Sequence, residues 1–118
     1  MKLTLKSEIT TPSARIHIAG DLDYGRTARL VDAVSELVAA NPDVRELFLD
    51  FTDLGFIDST GLSALLIVHR EASRFGVVLH LENRPPQLDR VLEITGLLDH
   101  FTSAPAAGAQ RSGEIEIG

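Results

Sequence analysis

Asp58, Ser59 and Thr60 set a carboxylate beside two hydroxyls just ahead of an apolar run that opens at Leu62. All three residue types cap helices, because their side-chain oxygens accept from the first, unpaired backbone N–H groups. A helix start also carries partial positive charge. Two chemistries are open at this point. In the simpler one Ser59 merely caps the helix. In the sharper one its hydroxyl accepts a phosphoryl group, and the helix end stabilises the new phosphate.

Other residues invite other chemistries. Asp21, Asp23, Asp50, Asp53 and Asp58 could together suggest a metal site or a phosphorylated aspartate. A receiver-like phosphorelay domain would place its acceptor at Asp50, at the end of a central strand. Such a domain also wants paired acids after its first strand and a lysine after a later one. Here Thr10-Thr11-Pro12 follows the first strand and no lysine occurs after Lys6, so Asp50 and Asp53 read better as strand-end and turn residues. A hydrolase would need a base beside Ser59. His69 lies ten residues further along the same helix, about 15 Å away by helix rise, and Ile57 replaces the first glycine of the G-x-S-x-G elbow. His69 reads as a packed, hydrogen-bonded histidine, and His17, His80 and His100 as strand or loop residues. No catalytic residue, metal ligand or cofactor-binding loop is assigned.

The elements that must position Ser59 follow from periodicity. Leu3 and Leu5 alternate with polar residues, Thr11-Pro12-Ser13 supplies a turn, and Arg15–Ala19 alternates again until Gly20 ends the strand. From about Asp23 to Ala40 the period becomes helical, with Leu30, Val31, Val34, Leu37 and Val38 on one arc, and Asn41-Pro42 closes the helix. Leu47-Phe48-Leu49 predicts a central strand buried on both faces. A second helix runs from near Ser59 to Gly76, and Val77–Leu81 is a further core strand. Asn83 is the expected N-cap of a third helix carrying Leu88, Val91 and Leu92, with Gly96 as its C′ residue. Leu97, Leu98 and Phe101 are expected to return to the core. The order β-β-α-β-α-β-α gives an α/β domain, a mixed sheet of about four to five strands packed with helices. It occupies residues 1–102. Residues 103–118, rich in Ala, Gly and Ser, read as a flexible tail in which Ile115 and Ile117 could add a weak edge strand.

Composition narrows the function further. With 118 residues and 44% apolar side chains the chain can bury one core without staples. The net charge of −6 and the pI near 5.1 disfavour nucleic-acid partners. There is no cysteine, hence no disulfide, thiol nucleophile or thiolate zinc site. No apolar run approaches a membrane span and the start lacks a signal-peptide core, so a soluble cytoplasmic domain without membrane insertion is expected.

The segments LFLDFTDLGFIDSTGLSALL and GVVLHLENRPPQLDRVLEITGLLDHF resemble the STAS-domain anti-sigma factor antagonists, bacterial regulators of sporulation and stress response. Gly20-Asp21-Leu22-Asp23 is similar to that family's G-E-L-D turn, with Asp for Glu. The resemblance covers roughly residues 3–102. It implies a single STAS-like domain without enzymatic activity or cofactor, acting as a monomer or weak dimer. It further implies a partner switch, in which the unphosphorylated protein binds an anti-sigma factor that is also a serine kinase. That kinase phosphorylates Ser59, with Thr60 the secondary acceptor, and a separate serine phosphatase resets the site. Carried onto this chain, the partner surface comprises Asp23, Asp58, Ser59, Thr60, Gly61, Ser63, Ile67, Arg70 and Arg74. A STAS scaffold of the stressosome type, or an accessory subunit of lipid transport, shares the same resemblance.

The helical wheel agrees with that surface. Leu62, Leu65, Leu66, Val68, His69 and Ala72 fall on one side and should face the sheet. Thr60, Ser63, Ile67, Arg70 and Arg74 fall on the other and should face solvent or a partner. Ile67 is then an exposed apolar residue in a polar surround, suited to an interface anchor. A phosphate at the edge of this face adds about −1.5 to −2 charges. Repulsion and desolvation could weaken binding by about ten- to a hundredfold without any refolding.

Overall fold

The computed structural model describes residues 2–97. Its element order is β1 (Leu3–Thr10), β2 (Ser13–Leu22), α1 (Thr27–Ala40), β3 (Glu46–Ile57), α2 (Ser59–Arg74), β4 (Val78–Glu82) and α3 (Pro86–Thr95). The four strands form one sheet in the order β1-β2-β3-β4, with β1 antiparallel to β2 and the other two pairings parallel. This is the mixed α/β order expected from the sequence.

Alternation along the strands divides the sheet into two unlike faces. Ala14, Ile16 and Ile18 of β2, Leu47, Leu49 and Phe51 of β3, and Leu79 and Leu81 of β4 are buried in one cluster with side chains of all three helices. The helical members are Leu30, Val34, Leu37 and Val38 of α1, Leu65, Val68 and Ala72 of α2, and Leu88 and Leu92 of α3. The opposite face is half-exposed and ionic. There Arg15 pairs with Glu82 and lies 5.1 Å over the Phe48 ring, which stacks on His80 at 4.5 Å. His17 lies between Asp50 and Glu8, at 3.2 and 3.5 Å, and His80 meets Glu46 at 3.0 Å. Phe48 is therefore only half-buried, so the reading of β3 as buried on both faces is corrected. Likewise β4 stands at the edge of the described sheet.

Several boundaries differ from the sequence reading, each for a local reason. β2 does not stop at Gly20 but runs through it to Leu22. Glycine is required at position 20, since φ is +98° and a Cβ would stand 1.8 Å from the Lys2 carbonyl oxygen. β3 continues from Leu49 to Ile57, eight residues beyond the apolar run that announced it. Its pairing with β2 shifts register twice, between His17 and Ala19 and between Gly20 and Asp21. These bulges place Thr52 with Asp53, and Gly55 with Phe56, as adjacent exposed residues, which hides the strand's period of two. α1 starts at Thr27, since a turn over Asp23–Arg26, closed by Arg26 N–H donating to the Asp23 carbonyl at 3.0 Å, comes first. Asn83 does not cap α3. It takes φ +56° and donates from Nδ2 to Asp50, while Pro85 holds the cap position and Gly96, at φ +76°, ends the helix as expected. Val91 is 38% exposed and leaves the core to Leu88 and Leu92, with Leu97 partly buried against it. The expectations for Leu98, Phe101 and the tail from 103 to 118 lie outside the described residues.

Candidate functional site

The parallel strands β2 and β3 deliver their C-terminal ends to one edge of the sheet, where α/β folds place their sites. β3 outruns β4, whose pairing with it ends at Asp50–Glu82, so the last residues of β3 are held by β2 alone. After Ile57 the chain turns directly into α2. The turn is tight. A Cβ on Gly61 would lie 2.4 Å from the Leu22 carbonyl oxygen and 2.6 Å from Ile57 Cγ1, so only glycine lets the head of α2 sit against both strand ends. Gly61 is buried. It belongs to this packing and not to the exposed surface with which the sequence reading grouped it.

Asp58 is the N-cap of α2, in extended conformation. Its Oδ1 accepts from the Thr60 amide at 2.9 Å, the Gly61 amide at 3.1 Å and the Thr60 hydroxyl at 2.5 Å. Its Oδ2 accepts from the Tyr24 amide at 3.2 Å. The Thr60 hydroxyl, followed by the Gly61, Tyr24 and Thr60 amides, holds the Asp58 carboxyl below the usual carboxylate range. Ser59 therefore does not cap the helix. Its neighbour does, and Ser59 is exposed at the first helical position.

Two consequences follow for a phosphoryl acceptor. Thr60 is half-buried with its hydroxyl engaged with Asp58, whereas Ser59 is exposed, so the two candidates differ in access. The helix end, moreover, is already occupied by an anion. Two first-turn amides belong to Asp58, and a phosphate on Ser59 would meet a carboxylate instead of the vacant positive pole anticipated from the sequence.

The other α2 residues that the sequence reading assigned to a partner surface are all on the exposed side of the helix. Ser63, Ile67, Arg70 and Arg74 are exposed, while Leu65, Val68 and Ala72 are buried and Leu62, Leu66 and His69 half-buried, as the wheel required. Ile67 is 39% exposed. Arg74 pairs with Glu71 at 2.9 Å and lies about 22 Å along the helix from Ser59, which sets it apart from the others. Asp23 stands across from Asp58 in the β2–α1 turn, half-buried, and accepts from Arg26 at 2.7 Å. Two aromatics at this edge carried no recognisable sequence pattern. Tyr24 is 82% exposed beside Asp58, and Phe56 is 49% exposed near the end of β3. On the other flank of Ser59 a groove of about 290 Å³ runs between Leu62 of α2 and Leu88, Val91 and Thr95 of α3.

The competing chemistries lose their footing here. Asp50 lies within β3, not at its end, and accepts from the Thr52 amide and hydroxyl at 3.0 and 2.6 Å and from Asn83 at 3.0 Å. The Thr52 hydroxyl and then Asn83 lower its pKa to about 2. It is a tie across a bulge, remote from an exposed phosphoacceptor loop. His17 and His80 belong to the ionic sheet face, and His69 to the middle of α2, so none of these described histidines stands against Ser59. Among the described residues no group of three or more His, Asp or Glu side chains forms a metal cage. No described helix is long and apolar enough to cross a membrane.

A four-stranded mixed sheet with three helices on one face, whose strand β3 turns directly into an Asp-capped helix with an exposed serine at its first position, defines a class of small α/β domains. The chain belongs to the STAS domain family, whose model matches residues 5–108. It is 31% identical over 85 residues to the anti-sigma-B factor antagonist of Bacillus subtilis (strain 168), covering 72% of this chain and 75% of that one. Its fold is shared by two solved structures. The first is an anti-sigma factor antagonist from Mycobacterium paratuberculosis, with TM-score 0.69 and 23% identity over 86% of this chain and 84% of that one. The second is the Bacillus cell fate determinant SpoIIAA in its phosphorylated form, with TM-score 0.65 and 20% identity over 95% and 93%.

Proposed function

We propose that this protein is an anti-sigma factor antagonist whose binding is controlled by reversible phosphorylation of Ser59. The observation that carries the reading is the exposed Ser59 beside the Asp58 cap, at the head of a helix face bearing Ser63, Ile67 and Arg70. The family membership and the curated relative support the same reading. In the unphosphorylated state the face binds an anti-sigma factor that is also a serine kinase, and the sigma factor is freed. The kinase then presents the γ-phosphorus of ATP to Ser59 Oγ. The Oγ–P bond forms, the bond to ADP breaks, and the serine proton passes to a base on the kinase. A phosphatase reverses the change by adding water at phosphorus, releasing phosphate and restoring the hydroxyl. The protein supplies the acceptor and the docking face, with no catalytic group of its own, and works in the cytoplasm where its partners are.

The phosphate acts by local charge. It adds about −1.5 to −2 charges next to an ionised Asp58, on the rim of the face the partner must cover. The test is a titration of the kinase partner, isolated from the native host on the immobilised protein, against wild type and Ser59→Asp. Binding of Ser59→Asp is expected to be weaker by about tenfold or more at nearly unchanged Tm. Equal affinity for the two would overturn the reading.

A further inference from the structure

Asp58 does more than cap a helix. One carboxylate oxygen serves the start of α2, through the Thr60 and Gly61 amides and the Thr60 hydroxyl, and the other reaches across to the Tyr24 amide at 3.2 Å. Tyr24 sits in the β2–α1 turn, 34 residues earlier in the chain, between Asp23 and Gly25. It is the chain's only tyrosine and its ring is almost wholly exposed. The same carboxylate thus joins the phosphoacceptor segment to an aromatic turn. Beside this clasp, β2 and the head of α2 also meet through the Leu22–Ile57 pairing, the packing of Gly61 on the Leu22 carbonyl, and the Asp58 amide donating to that carbonyl at 3.4 Å.

We propose that Asp58 is the positioning residue of the switch: it clasps the Tyr24 turn to the head of α2 while Ser59 is unmodified, and a phosphate on Ser59 displaces it and frees that turn. The inference rests on Ser59 being the acceptor. Its physical basis is competition for donors. The Leu62 amide is already taken by the Asp58 carbonyl at 3.2 Å, so the free first-turn amides are those of residues 59, 60 and 61, and Asp58 holds two of them. A serine phosphate one residue on brings three acceptor oxygens and a larger charge to compete for the same donors. Two anions of this size do not share one helix end without repulsion. When the carboxylate swings away, the Tyr24 amide loses its acceptor. The covalent change at Ser59 is thereby transmitted to Tyr24 and to its neighbour Asp23, a residue assigned to the partner surface.

The experiment compares backbone amide hydrogen exchange at Tyr24 in three full-length proteins: wild type, protein made with phosphoserine at position 59 by genetic encoding, and Asp58→Asn. Asparagine caps helices as well as aspartate does, and its single carbonyl oxygen can serve the Thr60 and Gly61 amides while its amide nitrogen cannot accept from Tyr24. The variant therefore opens the clasp without removing the cap, and an unchanged Tm certifies the fold. Exchange at Tyr24 is expected to accelerate at least about fivefold in both the phosphoserine protein and Asp58→Asn, with Leu65 and Val68 unaffected. Acceleration in Asp58→Asn alone would show a clasp that phosphate does not open, and would overturn the proposal. No acceleration in Asp58→Asn would show that there is no clasp. Because the phosphoserine is installed without any kinase, these outcomes are independent of whether the host phosphorylates Ser59, which the partner titration and mass mapping decide.

Discussion

At the scale of single residues, the site is shaped by which polar groups are already engaged. Asp58 and Asp50 are both acceptors held by hydroxyl and amide donors, one capping α2 and one tying a bulge of β3 to Asn83. Ser59 is exposed between such fixed groups. The Asp50 pKa of about 2 stands below its ordinary 3.8, so its native-state interactions favour the ionised form. The stability it lends is accordingly full above pH 3.8 and is lost as the pH falls toward 2. Asp50→Asn is expected to lower the Tm at neutral pH and to flatten the fall of Tm between pH 4 and about 2, read by thermal denaturation across that range. An unchanged acid limb would contradict the role given to Asp50. The Asp-Ser-Thr triplet was legible in the sequence because all three residues are cap types. Which of them capped was not, since that choice depends on the strand-to-helix angle set by Gly61 and by the distant Leu22 carbonyl. Tyr24 and Phe56 were illegible for a different reason: isolated aromatics in a turn and a bulge belong to no periodic stripe.

At the scale of elements, the helices were easier to read than the strand that carries the site. The stripes of α1 and α2 are uninterrupted, and the wheel for α2 placed Ile67 outward and Val68 inward, as found. β3 showed only its first apolar residues, because two bulges break the alternation beyond Asp50. Those bulges have a use. They bring Leu54 back to the buried face before the chain reaches Asp58. Gly20 opposite them has a matching constraint. Gly20→Ala would force a Cβ into the Lys2 carbonyl and is expected to cost about 3 kcal/mol or more, lowering the Tm by roughly 10 °C or more in a melting experiment. A Tm within about 2 °C of wild type would show that the β1–β2 edge adapts freely. Ile67→Glu tests the opposite property, since a 39% exposed side chain contributes little to the core. It is expected to leave the Tm nearly unchanged while weakening partner binding by about tenfold in a titration. A large loss of Tm would move Ile67 from the docking face into the core.

At the scale of the whole molecule, the domain is a two-layer platform with a sharp division of labour. One sheet face and three helices build the core, and the opposite sheet face is an ion-paired surface of Arg15, His17, His80 and their carboxylates. The site occupies the edge where β2 and β3 end, so a charge placed there alters what the molecule presents without disturbing the buried core. With a net charge of −6, each added phosphate increases an already acidic field, and partner association is expected to depend on salt. The central claim is that this edge is switched at Ser59. The most direct measurement is intact-mass analysis with site mapping of the protein purified from its native host across growth and stress conditions. The account predicts a species heavier by one phosphoryl group, with the modification on Ser59 and its fraction changing with condition. A protein that stays unmodified throughout, or that carries phosphate elsewhere while Ser59 remains free, would contradict it.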